Sequence, residues 1–205
     1  MTSLYLVLDM QNDLVHADGP NGKSGLGIAV HQRQILARTR QAVDKARAAG
    51  TPVAFVRVGF SPDYRECPRH SAIFAPAREN GLFKLGSWGT EIHPELGKSD
   101  ADFDIVKHRV SAFYGTTLEP ILAAKGVSTI VVSGVSTTAA VQSTVRDAHD
   151  RDYRCIVLED CCAAATAEEH DASIVALKRF AQIAVQSDDA WLAGLPANRE
   201  GRGNA

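Results

Sequence analysis

Apolar positions along this chain fall into short dense runs that alternate with stretches of helical spacing. Leu4–Asp9 (LYLVLD) is apolar at successive positions and closes on a carboxylate, the pattern of a strand covered on both faces. Ile35–Ala49 sets Ile35, Leu36, Ala42, Val43 and Ala46 on one helical face and stops at Gly50. Pro52–Val58, Asp104–Val106, Thr129–Ser133, Arg154–Leu158 and Gln182–Gln186 read as further strands. Helices are predicted over Thr116–Lys125 (face Leu118, Ile121, Leu122), Thr137–Asp150 (face Val141, Val145, Ala148) and Glu168–Phe180. Thr116 with Glu119, and Thr166 with Glu169, have the spacing of capping boxes. Residues 59–101 carry several prolines and Trp88 and read as irregular; so long a stretch inside a compact domain is usually functional.

Strands alternating with helices predict one three-layer, doubly wound α/β domain over residues 1–195, with a mainly parallel, roughly six-stranded sheet. A flexible tail is expected over residues 196–205 (PANREGRGNA). Ligands in such sheets sit at the carboxyl ends of the strands, near the switch in strand order. That singles out Asp9 after the first strand, Lys107 after the third, and the Gly134–Thr137 turn that opens a helix whose first amides suit an anion. Taken singly, Asp9 is a turn residue and Lys107 a solvated lysine. As a buried pair they would stabilise each other's charge and exchange protons with a bound group.

Composition narrows the function classes. A net charge of −2 over 205 residues offers no basic surface for nucleic acid or an anionic membrane. No apolar run approaches the roughly 20 residues of a membrane span, and the N-terminus lacks the basic segment of a secretory leader. Cys67, Cys155, Cys161 and Cys162 form a poor disulfide framework, so reduced thiols and a cytoplasmic setting are expected. Asp63, Cys67 and His70 are metal-ligand types in what reads as a solvated loop. Gly25-Leu26-Gly27 is a fragment of a dinucleotide fingerprint, with Val30 at the third glycine position and no strand before it.

Three ordered segments carry a resemblance. Asp9-Met10-Gln11-Asn12-Asp13 resembles the D-x-Q-N-D opening of the isochorismatase-like hydrolases, the cysteine hydrolase superfamily. Lys107–Thr116 (KHRVSAFYGT) resembles their K-x-R-x-S-A-F-x-x-T segment, and Gly134-Val135-Ser136-Thr137 with Val141 and Arg146-Asp147-Ala148 resembles their G-V-x-T-x-x-C-V turn and helix. The match runs from about Leu4 to Gln186.

The resemblance implies a metal-independent hydrolase without cofactors, acting on a small amide, ureide or related compound, and assembled as a homodimer or homotetramer. In the family's amidases an Asp serves as base and acid, a Lys orients and polarises the site, and a Cys attacks the carbonyl. A cis peptide in the turn helps form the oxyanion hole. These roles fall on Asp9, Lys107 and the Val135–Ser136 link, with Gln11, Thr137, Phe113 and Trp88 as further candidates for binding substrate. The nucleophile position falls on Ala140, which has no thiol. Three readings stand: a thiol-free enzyme, a Cys-to-Ala form of a cysteine amidohydrolase, or a non-catalytic binding protein on the same scaffold. The aromatic-Ala-His of isochorismatases proper is absent after Gly134-Val135, and so is the D-x-H pattern of the metal-dependent nicotinamidases.

Overall fold

The computed structural model describes residues 2–193, so the tail expected over residues 196–205 lies outside the described residues. Six strands form one parallel sheet: β1 (Thr2–Leu8), β2 (Val53–Val58), β3 (Phe103–Lys107), β4 (Val127–Val135), β5 (Arg154–Ala163) and β6 (Gln182–Ala184), in the order β3-β2-β1-β4-β5-β6. The order reverses between β1 and β4, which puts the crevice rule's binding position at their carboxyl ends.

Alternation along the strands builds two cores. Leu4, Leu6 and Leu8 of β1 face a cluster completed by α5 (Leu118–Ala124), α6 (Gln142–His149) and α7 (Ala167–Leu177). Tyr5 and Val7 face the opposite cluster, where α3 (Ile35–Ala48) contributes Ile35, Ala42, Val43 and Ala46. With both faces covered, a strand gains nothing from a polar side, which is why these runs are nearly continuously apolar.

Several expectations need correction. The region before α3 contains α1 (Asn12–Val15) and α2 (Gly25–Gln32); the two glycines that open α2 hide it, while Ser24 caps it by accepting from Gly27 N. The stretch 59–101 holds α4 (Ala75–Asn80), closed by Gly81 at φ 69°. The Thr116–Glu119 box does not form: Thr116 Oγ1 accepts from Leu118 N at 3.1 Å and donates to the Ala112 carbonyl, and α5 starts later. The Thr166–Glu169 cap does form, at 3.2 Å. β5 runs through Cys161 and Cys162, fully buried, rather than ending at Leu158; its pairing with β4 shifts register between Val132 and Gly134.

Gly134 pairs with Leu8 across β1 and β4 and leaves no room for a side chain. A Cβ there would lie 2.2 Å from the Leu8 carbonyl oxygen, and the residue sits at φ 138°. Gly134→Ala is therefore expected to force the two central strands apart and to cost about 4 kcal/mol, lowering Tm by roughly 8–16 °C in a domain of this size. A calorimetric Tm within about 3 °C of the unsubstituted chain would contradict that account.

Candidate active site

Asp9 leaves β1 at φ 55°, fixed by its own N–H donating to Val56 O at 2.8 Å. Lys107 ends β3, two strands away; at about 4.8 Å per strand the gap is roughly 10 Å, within reach of a lysine stem. The side chains meet: Lys107 Nζ lies 2.8 Å from Asp9 Oδ2 and donates to Val110 O at 2.6 Å. Asp9 is 5% exposed and Lys107 1%. Burial pushes the Asp9 carboxyl above the ordinary carboxylate value, and the Lys107 charge and hydrogen bond pull it back only in part. The Val58 N–H, whose bond goes to Gln11 Oε1, adds a smaller lowering.

Asp9 Oδ1 is buried without a hydrogen-bond partner. An orphaned carboxylate oxygen costs about 1–3 kcal/mol or more, so this atom favours any donor brought to it. Asp9 lines a cavity of about 280 Å³ together with Lys107, Val135, Ser136 and Ala140. The turn between β4 and α6 is a single π-helical turn, Thr137–Val141, rather than the regular helix start expected there, and it carries Ala140 onto the cavity wall, 3% exposed. The Val135–Ser136 peptide is cis. A larger hollow of about 640 Å³ lies beside α2, lined in part by His16, His31 and His93; the Asp9–Lys107 pair lines the smaller cavity and not this one.

Other candidates sit around this centre and not in it. Gln11 is buried and clamped at both ends to β2, donating to Val58 O at 2.9 Å and accepting from Val58 N at 2.8 Å. Thr137 Oγ1 lies 2.9 Å from His170 Nδ1, and His170 Nε2 lies 2.8 Å from Glu159 Oε1, which also pairs with Arg33 at 2.6 Å. The Glu159 carboxylate accepts from Nε2–H; in the neutral ring Nδ1 is then the acceptor for the Thr137 hydroxyl. The His170 hydrogen bond, with help from Arg33, holds the Glu159 carboxyl down at about 2. This chain anchors the turn from behind. Phe113 packs in the core against Tyr153, ring centroids 6.0 Å apart, and Trp88 is half-exposed, edge-on to His16 at 4.9 Å; neither lines the cavity.

The sequence reading missed the outer wall. Phe74, Ala77, Leu82 and Phe83 come from the stretch read as irregular. Asp13, in the Asp9–Asp13 segment, pins that wall by accepting from Phe83 N at 2.7 Å. Asp63 is an exposed partner of Arg65, and Cys67 is buried with its thiol 3.9 Å from Phe74 O. Among the described residues, no group of three or more His, Cys, Asp or Glu side chains is arranged to hold a metal ion.

The model of the isochorismatase domain matches residues 3–188. This chain belongs to the isochorismatase family. It is 37% identical over 175 residues to the uncharacterized isochorismatase family protein YecD of Escherichia coli O157:H7, covering 84% of this chain and 86% of that protein. It is 30% identical over 208 residues to the ureidoacrylate amidohydrolase RutB of Methylobacterium radiotolerans, covering 96% of this chain and 78% of the other. An isochorismatase family protein from Desulfovibrio vulgaris superposes with a TM-score of 0.81 at 28% identity, covering 94% of this chain and 98% of that one. This family member is a parallel six-stranded sheet with helices on both faces, a fold it shares with that structure at the TM-score given.

Proposed function

We propose that this chain hydrolyses a small amide or ureide with water as the nucleophile and Asp9 as the proton-transfer group. A buried Asp9–Lys107 pair that lines a cavity, with Asp9 Oδ1 left without a partner, carries this reading. The amidohydrolase name of one relative supports the reaction class.

The step balances without a thiol. Asp9 takes a proton from water as the water oxygen bonds to the carbonyl carbon, and the carbonyl π pair moves onto oxygen. Lys107 has three N–H groups, two of them committed to Asp9 and Val110, and the third opposes the new negative charge. The oxyanion pair then re-forms the C=O bond as the C–N bond breaks with its electron pair on nitrogen, and Asp9 returns the proton to that departing nitrogen. Amide and water become acid and amine.

Ala140 makes the test sharp, because its methyl occupies the wall where a thiol would stand. With water as nucleophile, the unsubstituted chain turns over small amides or ureides, and Ala140→Cys changes kcat/KM by less than about tenfold. A silent parent whose Ala140→Cys variant becomes active, and is then inactivated by iodoacetamide at that residue, would replace this mechanism with the thiol one. Saturable binding without product from either form would make the protein a binder. Mass spectrometry of products from an amide and ureide panel separates the three outcomes.

A further inference from the structure

We propose that the Asp9–Lys107 cavity selects small neutral amides or ureides bearing an apolar substituent and rejects those that carry a carboxylate. The proposal rests on the hydrolytic reading for turnover, but its binding selectivity stands on the cavity alone.

Charge in the lining decides it. Asp9 and Lys107 are the charged side chains of the lining, and they neutralise each other at 2.8 Å. The polar remainder is Asn21 and Ser136, both uncharged and each making one hydrogen bond: Asn21 Nδ2 donates to Asp13 O at 2.9 Å, and Ser136 Oγ lies 3.1 Å from Thr138 Oγ1. The other walls are hydrocarbon, with Leu14, Leu26, Phe74, Leu82, Phe83 and Val110 among them. Two arginines on neighbouring segments are not part of this lining and are directed at backbone carbonyls: Arg78 donates to Tyr64 O at 2.8 Å, and Arg109 to Glu66 O at 3.0 Å and His108 O at 2.6 Å.

A ligand carboxylate entering here would shed its hydration, meet no free cation and face the Asp9 anion. A neutral carboxamide complements the Asp9–Lys107 pair. Its N–H satisfies the orphaned Asp9 Oδ1, its carbonyl accepts from the remaining Lys107 N–H, and its alkyl or aryl end displaces water from leucine and phenylalanine. The volume of about 280 Å³ lies at the small end of ligand pockets, so the substituent is short. Ureidoacrylate, in the name of one relative, joins a ureide to a carboxylate. This cavity offers a partner to the first group and none to the second.

Four size-matched probes test it on the full chain: 4-methylpentanamide and N-(3-methylbutyl)urea against succinamate and N-carbamoyl-β-alanine. The neutral pair is expected to show kcat/KM at least about a hundredfold higher than the anionic pair. Ile73 lines the cavity and is 52% exposed, so Ile73→Arg adds a cation at little structural cost and should narrow that gap at least about tenfold. Equal or better turnover of the anions by the unsubstituted chain would overturn the proposal. If no probe is cleaved, the hydrolytic reading fails, and saturation-transfer NMR with the same four compounds decides the selectivity. Transfer to the neutral pair alone upholds the proposal. Equal or stronger transfer to the anions, or none to any of the four, refutes it.

Discussion

Asp9→Asn is expected to cut kcat/KM for any substrate of this chain by about 10²–10⁴-fold, the usual contribution of a positioned proton-transfer group. Asparagine keeps the shape, and its carbonyl oxygen still accepts from Lys107, but it cannot take a proton from water. The pH profile supplies a second reading that a merely structural loss would not imitate. In the proposed mechanism the base form of Asp9 is the active one, and burial raises its pKa above the ordinary aspartate value. Activity should therefore climb as pH rises through a value above that of an ordinary aspartate, and the Asn variant should lose this limb. Retention of more than about a tenth of the activity, with the limb unchanged, would remove Asp9 from the mechanism.

Lys107→Met is expected to cost about 3–5 kcal/mol at pH 7, because it strands the Asp9 carboxylate in a site that is only 5% exposed. For a domain of this size that lowers Tm by roughly 6–20 °C. The pH dependence has a definite sign. Without the lysine, both influences that lower the Asp9 pKa most disappear, so the folded chain holds the proton to still higher pH than the unfolded chain does. Where the native state binds more protons, stability falls as pH rises. The deficit should thus be smaller near pH 4 than at pH 7. Adding Asp9→Asn removes the stranded charge and should recover part of the loss at pH 7. Urea midpoints of the single and double variants at both pH values check this, and a deficit independent of pH would show that Lys107 acts through packing alone.

Much of the site was legible because it lies where one-dimensional pattern and local chemistry coincide. The apolar run before Asp9 marks a strand end, and so does the one before Lys107; the Gly134–Thr137 turn marks a strand-to-helix junction. Each of these is local. The wall formed by Phe74, Ala77, Leu82 and Phe83 was not legible, since its placement depends on Asp13 holding Phe83 N across 70 positions of sequence. Phe113 and Trp88 show the same limit from the other side. Both are aromatics near motif residues, yet one fills the core beside Tyr153 and the other leans on His16 in the open.

The sequence by itself determined the parallel α/β class, the two-faced burial of the strands, and the residue types available at the strand ends. These follow from hydrophobic period and from the stereochemistry of turns, which act between near neighbours. Tertiary structure alone decided that Asp9 and Lys107 meet. Their contact requires the order β3-β2-β1, with Val58 paired to Lys107 and Leu8 to Val56, and alternation of elements is compatible with other orders. It also decided that one oxygen of Asp9 has no partner, because whether a buried atom is satisfied depends on every element packed around it and on no single stretch of chain.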